Sequence, residues 1–326
     1  MRMSPDGSPT RSLAVAPMMD RTDRHCRYFL RLLAPHAWLY TEMITARALL
    51  HGAHERLLAF HPAEHPVAVQ LGGSVPTELA SATRLAASAG YDEINLNVGC
   101  PSGRVQAGCF GAALMAEPAL VADCVRAMHD ASELPVTVKT RLGIDDLDSY
   151  AHLCDFVATV AAAGCRTFIV HARKAWLNGL SPKENRDIPP LDYARVHRLK
   201  RDFPELEIII NGGLSAVDTA MAQLEHVDGV MLGRAAYRDP YVLAKLDARL
   251  FGGALPSRSA VLESTLRYAA HEVARGVPLR AITRHLMGLY AGLPGARGWR
   301  RMLGELDDGV GGLEQLEQHV VSRLAA

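Results

Sequence analysis

The segment Asn95-Leu96-Asn97-Val98-Gly99-Cys100-Pro101-Ser102 puts one thiol where an apolar strand gives way to a polar turn. Tyr91, Ile94, Leu96 and Val98 supply the apolar positions of that strand, with polar residues between them. Gly99 lets the backbone turn, and Pro101 cannot continue a ladder hydrogen bond. A cysteine inside an apolar element packs, whereas one at its polar end is placed to react. An unperturbed thiol has a pKa of about 8.5. It is therefore mostly protonated at neutral pH and suited to act as a general acid beside a hydride donor. Cys109 is the competing thiol; Cys26, Cys124 and Cys154 sit at apolar spacing in helical segments, and Cys165 in a turn, so all four read as structural.

Other residues of chemical interest also follow short apolar runs. Lys139 comes after Val136-Thr137-Val138, where it is suited to a Schiff base, a phosphate contact or the stabilisation of a developing anion. Gln70 offers a donor and an acceptor to the amide-like edge of a planar ring. Asn211-Gly212-Gly213 and Gly233-Arg234 offer backbone N–H groups, close approach and a guanidinium, the means of holding a phosphate. A phosphate site, an anion-stabilising lysine and an amide reader together describe a flavin mononucleotide (FMN) site. His61 and His65 have a metal-like spacing, but Pro62 and Pro66 place them in a loop without a matching acid or thiol, so no metal site is expected.

These residues need elements to position them. Apolar runs at 13–16, 38–40, 67–71, 94–98, 136–138, 168–170, 208–210 and 230–232 predict strands. Stretches such as 76–89, 119–131 and 153–163 between them have helical periodicity. Every run is followed by a polar or glycine-rich cluster: Pro17-Met18-Met19-Asp20, Thr41-Glu42-Met43, Gly72-Gly73, Gly99-Cys100, Lys139-Thr140-Arg141, His171-Ala172-Arg173, Asn211-Gly212-Gly213 and Gly233-Arg234. A (β/α)8 barrel brings all eight strand ends to one rim where active sites are built, whereas a doubly wound sheet would not need all eight to be functional, so the barrel is predicted. Neither a dinucleotide fingerprint nor a P-loop is present.

The alternation stops near Gly252-Gly253 and the remaining sequence is helical. The expected organisation is a tail over 1–11, disordered and without the apolar run of a secretory signal, a catalytic barrel over 12–253 and a helical domain over 254–326. Lys plus Arg and Asp plus Glu balance at 35 each, which excludes a global basic field. Yet 267–301 holds seven arginines (267, 275, 280, 284, 297, 300 and 301) against the single acid Glu272, the local excess that polyanion binding requires. Six cysteines without a C-x-x-C pair predict reduced thiols and a cytoplasmic protein, and no apolar run reaches membrane-spanning length. No obligatory protein partner is evident.

Taken together, the motifs resemble the bacterial tRNA-dihydrouridine synthases, the A subfamily in particular. The resemblance runs from about Leu13 to Arg301. It includes the segment from Val15 to His25, Leu39-Tyr40-Thr41-Glu42-Met43, Gln70-Leu71-Gly72-Gly73 and the segment from Tyr91 to Ser102. Ser181-Pro182-Lys183-Glu184-Asn185-Arg186 and the segment from Gly295 to Arg301 complete it. It implies reduction of the C5–C6 double bond of uridine in the tRNA D-loop, at positions 20 and 20a, with NADPH reducing FMN first. Hydride would then pass to C6 and a proton from Cys100 to C5. It places FMN against Pro17, Met18, Met19, Gln70, Lys139, His171, the 211–213 loop and Gly233-Arg234. It also assigns Asn97, Lys183, Arg186, Arg297 and Arg300 to the grip on tRNA. Relatives often carry a second cysteine where this chain has Ala113, which removes one rival acid. The alternatives are a flavin barrel acting on a small enone or dihydroorotate-like substrate, which the basic appendage disfavours, and a tRNA-binding scaffold, for which Cys100 and Lys139 would be superfluous.

Overall fold

The computed structural model describes residues 10–324. Eight parallel strands close into a barrel in chain order. They are β1 Leu13–Val15, β2 Trp38–Thr45, β3 Val67–Gly72, β4 Glu93–Asn97, β5 Val136–Arg141, β6 Thr167–His171, β7 Glu207–Asn211 and β8 Gly229–Leu232. Side chains alternate along each strand between the barrel interior and the surrounding helices. Ile94, Leu96, Val136, Val138, Phe168 and Ile208 belong to the layer packed under the helices. Ala14, Trp38, Tyr40, Ala68, Ile169 and Met231 belong to the separate cluster inside the barrel.

Two strands run three or more residues further than their apolar runs predict. β2 continues through Thr41-Glu42-Met43 with a register shift between Tyr40 and Met43, and there Thr41 Oγ1 accepts the Gln70 N–H at 3.0 Å. β5 continues through Lys139-Thr140-Arg141, where Arg141 pairs with His171. Polar residues are tolerated because alternate positions point into an interior that is polar on the side of β3, β4 and β5. In β4, Glu93, Asn95 and Asn97 are all buried, alternating with Ile94 and Leu96.

The expected tail lies outside the described residues as far as position 9, but its last residue is part of the fold. Arg11 is buried, with Nε donating to Glu93 Oε2 at 2.5 Å and Nη1 to Glu207 Oε2 at 2.9 Å. Its guanidinium lies 4.5 Å from the Trp38 ring centroid. Arg11 thereby closes the end of the barrel at which the strands begin.

After Gly252 and Gly253, both at positive φ (80° and 99°), the chain forms the helices Arg258–Ala274, Leu279–Thr283, Ala296–Glu305 and Val310–Leu324. Val310–Leu324 packs on the first two, which dock on the helix Arg24–Leu33. Asp23 caps that helix by accepting the Cys26 N–H, and also pairs with Arg284 and with His285 Nε2. Tyr28 stacks on Tyr268 with centroids 4.0 Å apart, and Arg24 Nη2 meets the buried Glu272 at 2.5 Å.

Candidate active site

β4 ends at Asn97, and the Asn97 side chain builds the turn that follows. Its Oδ1 accepts the Gly99 N–H at 3.2 Å and the Cys100 N–H at 3.0 Å. The turn is held from three further sides. Ala112 N–H donates to the Cys100 carbonyl at 2.9 Å, Arg141 Nε to the Gly99 carbonyl at 2.8 Å, and Cys100 Sγ lies 3.6 Å from Ser102 Oγ. Cys100 is half-buried and free. Cys109 is exposed at φ 55°, while Cys26, Cys124 and Cys165 are buried and Cys154 is half-buried against the core. Only Cys100 among the six is fixed at the rim by a network of polar bonds.

The strand pairing joins most of the expected cofactor residues into one arc. Asn97 pairs with Lys139, Arg141 with His171, and His171 with Asn211. Asn211 Nδ2 donates to the Met231 carbonyl at 2.7 Å, and Ala16 N–H to the Leu232 carbonyl at 2.8 Å. Those bonds bring Gly233 and Pro17 into the same ring. Met18 is half-buried and Met19 is 55% exposed. Gln70 is buried and bonded to both Asn95 and Asn97, which leaves one hydrogen on its amide nitrogen and one lone pair on its amide oxygen for a ligand.

The arc is short of negative charge. Burial, and then the neighbouring Arg141, holds the Lys139 ammonium down at about 7. Burial pushes Arg141 down to about 10. Burial, helped by Arg141 and Lys139, keeps His171 well below the ordinary imidazole value, so it stands neutral. Arg173 and Arg186 are also lowered, by burial and by Arg234 among others, with Asp187 opposing. A cluster of cations that penalise one another is stabilised by an anion. Gly212 and Gly213 have φ of 112° and 68°, and a Cβ at Gly212 would sit 2.5 Å from His171 Cδ2. Beside Gly233 the nearest atoms to such a Cβ are Ala16 Cβ at 3.7 Å and Met18 Sδ at 4.0 Å. These residues fit a phosphorylated flavin: an amide edge, a cation pair and, at Gly233, a backbone open to close approach.

Arg141 was legible in the sequence only as part of a polar cluster, yet it ties the site together. Its Nη1 donates to the carbonyls of Lys174 at 3.1 Å and Asn185 at 3.0 Å. Asn185 is buried and anchors the loop that displays Lys183 and Arg186, both exposed. Arg234 forks onto Asp187 at 2.7 and 3.1 Å and reaches the Arg186 carbonyl at 3.4 Å, so the second loop contacts the first. Arg297 and Arg300 are exposed on the helix Ala296–Glu305. Of the basic segment, Arg280, Arg284 and Arg301 pair with Asp308, Asp23 and Glu305. Its free charge is therefore smaller than the residue count suggests. Among the described residues no group of histidine, cysteine or acidic side chains could hold a metal, and no helix is long and apolar enough to cross a membrane.

Fold and site define a (β/α)8-barrel enzyme with a fixed thiol and a cationic cradle at its C-terminal rim. A family model described as Dihydrouridine synthase (Dus) matches residues 14–325. The tRNA-dihydrouridine(20/20a) synthase of Shewanella oneidensis is 59% identical over 297 residues, spanning 90% of this chain and 88% of that protein. The protein of the same description in Escherichia coli K12 is 58% identical over 295 residues (90% and 85%), and that in Vibrio vulnificus 56% over 310 (94% and 95%). The chain belongs to the dihydrouridine synthase family. It is an oxidoreductase that reduces the C5–C6 double bond of uridine.

Proposed function

We propose that this chain is an FMN-dependent, NADPH-using tRNA-dihydrouridine synthase acting in the D-loop at positions 20 and 20a, the positions in the names of its relatives. The observation that carries the site assignment is the free Cys100 thiol, fixed by Asn97 in a turn next to Lys139. Pro17, Met18, Met19, Gln70, Lys139, His171, the 211–213 loop and Gly233-Arg234 would hold the flavin. When bound and reduced, FMN supplies the hydride that goes to C6 of the base. Cys100 Sγ gives its proton to C5, and the turn bonds hold the sulfur in place while it does so. Lys139 in its protonated form, with Arg141 behind it, places positive charge where electron density accumulates.

The target base has to leave its stack to reach the barrel mouth. Asn97 ends β4, Lys183 and Arg186 belong to the loop after β6, and Arg297 and Arg300 to the helical region, which would clamp tRNA from a second side. We take 12–253 as the catalytic domain and 254–326 as the tRNA-binding domain. The positive-φ glycines at 252 and 253 support a boundary there. A reducing, tRNA-containing compartment, the cytoplasm, suits six free cysteines.

Cys100→Ala tests the assignment. It should keep its flavin and be reduced by NADPH normally, yet lose about a hundredfold or more of the rate at which tRNA reoxidises the flavin. Wild-type reoxidation by tRNA in this variant would refute the role of Cys100.

A further inference from the structure

A chain of hydrogen bonds runs through the barrel interior from Arg11 to the Cys100 turn. Arg11 Nε donates to Glu93 Oε2 at 2.5 Å, while Tyr40 Oη and Thr137 Oγ1 donate to Glu93 Oε1 at 2.8 and 2.6 Å. Asn95 Nδ2 donates to Thr137 Oγ1 at 2.8 Å, and Gln70 Nε2 to Asn95 Oδ1 at 2.7 Å. Asn97 Nδ2 donates to Gln70 Oε1 at 2.8 Å, and Asn97 Oδ1 accepts the two N–H groups of the turn. Glu93, Asn95, Gln70 and Thr137 are at most 1% exposed.

The direction of the whole chain follows from its ends. A carboxylate only accepts, so Thr137 must give its proton to Glu93 and can serve Asn95 only as an acceptor. Asn95 therefore turns its nitrogen to Thr137 and its oxygen to Gln70; Gln70 turns its oxygen to Asn97, and Asn97 its oxygen to the turn. The backbone N–H groups at the far end, which only donate, demand the same. Turning any one amide over sets donor against donor unless its neighbours turn too, and a full reversal strips the Gly99 and Cys100 N–H groups of their acceptor. Barrel interiors are ordinarily filled with Val, Ile and Leu, and a buried charge is costly unless paired. Arg11 supplies the pairing, and the polarity imposed on Gln70 and Asn97 is what the charged end contributes.

We propose that Glu93, Thr137 and Asn95 are positioning residues: the anionic end of the chain sets the orientation of Gln70 and Asn97, and through them the Cys100 turn and the amide edge facing the flavin. The proposal rests on the reading of Cys100 and Gln70 given above.

Glu93→Gln in the whole chain keeps shape while removing the acceptor that enforces the polarity. With Arg11 holding the amide oxygen, the new NH2 faces Thr137 and Tyr40. Glu207 still pairs with Arg11 in this variant. Thr137→Val removes only the hydroxyl, and Thr137→Ser keeps it. The first readout is the rate at which iodoacetamide alkylates Cys100 in flavin-free protein, resolved by peptide mass spectrometry, with exposed Cys109 as internal control. The second is single-turnover reoxidation of the reduced flavin by tRNA. Glu93→Gln and Thr137→Val should each change Cys100 alkylation at least about threefold with Cys109 unchanged. They should slow reoxidation about five- to tenfold, the worth of one neutral hydrogen bond. Thr137→Ser should restore both. Unchanged Cys100 rates in both variants, Cys100 and Cys109 changing in step, or Thr137→Ser as impaired as Thr137→Val would each overturn the proposal. Should Glu93→Gln fail to fold, the Thr137 pair decides alone. An error in the catalytic role of Cys100 appears separately, as full turnover in Cys100→Ala.

Discussion

The depressed ammonium of Lys139 makes flavin binding a proton-uptake reaction. Burial and Arg141 bring Lys139 to about 7 in the free protein, so at pH 8 about nine-tenths of the population is neutral. An anionic ligand against Lys139 favours its charged form and returns its pKa toward the ordinary lysine range. Binding FMN at pH 8 should then take up as much as about 0.9 proton per flavin through Lys139, whereas at pH 6 Lys139 is already charged and contributes only about 0.1. A phosphate ester has its second pKa near about 6, so at pH 8 the ligand releases no proton to mask this uptake. The assay is calorimetric titration of flavin-free protein with FMN in two buffers of different ionisation enthalpy. The observed enthalpy, plotted against buffer ionisation enthalpy, gives the proton number as its slope. Lys139→Met should bring that slope near zero at pH 8. A slope near zero in the wild-type protein, or one that survives Lys139→Met, refutes the placement of Lys139 at the flavin.

Gly212→Ala forces a Cβ to 2.5 Å from His171 Cδ2 at a φ of 112°; it should cost about 1–3 kcal/mol in thermal unfolding and lower the flavin-to-protein ratio read at the visible flavin band. Arg297→Ala and Arg300→Ala should weaken tRNA binding and each reduce the slope of log affinity against log salt by about 0.7–0.9, with NADPH reduction of the flavin intact; collapse of that reduction would break the division of labour between the two regions. His25, bonded to Tyr268 at 2.7 Å, is held down to about 4 by burial, whereas the unfolded chain binds that proton near about 6.5. Stability should therefore fall as pH drops from 6.5 to 4, and melting temperatures across this window should show a flatter slope in His25→Gln. Below that window Asp23 takes over: although burial alone would raise it, its hydrogen bond to His285 holds the carboxyl below the usual range, so its contribution is lost at still lower pH.

The barrel was legible because its strands are short Val, Ile and Leu runs, and because each is followed by residues that only a shared rim makes sense of. The Cys100 turn was legible from Gly99 and Pro101 alone. The meaning of the alternation in β4 was not. Glu93, Asn95 and Asn97 look like the wet face of a half-exposed strand, but a closed barrel buries both faces, and their partners lie on other strands. Arg11 sits in a stretch of Ser, Pro and Gly, and only carboxylates 82 and 196 residues further on reveal that it is buried. Counting arginines over 267–301 likewise cannot separate Arg284, spent on Asp23 in docking the helices, from Arg297 and Arg300, which stand exposed. His171 needed the family resemblance, since nothing local distinguishes it from a core histidine; its contact with the Gly212 position is visible only in the fold.

The central claim is tested most directly by incubating the purified protein with NADPH and tRNA from cells lacking dihydrouridine synthases, then mapping dihydrouridine by nuclease digestion and mass spectrometry. The account predicts a gain of two hydrogens confined to uridines 20 and 20a, the positions in its relatives' names. A protein that is yellow and reduced by NADPH but leaves those uridines unchanged would contradict it.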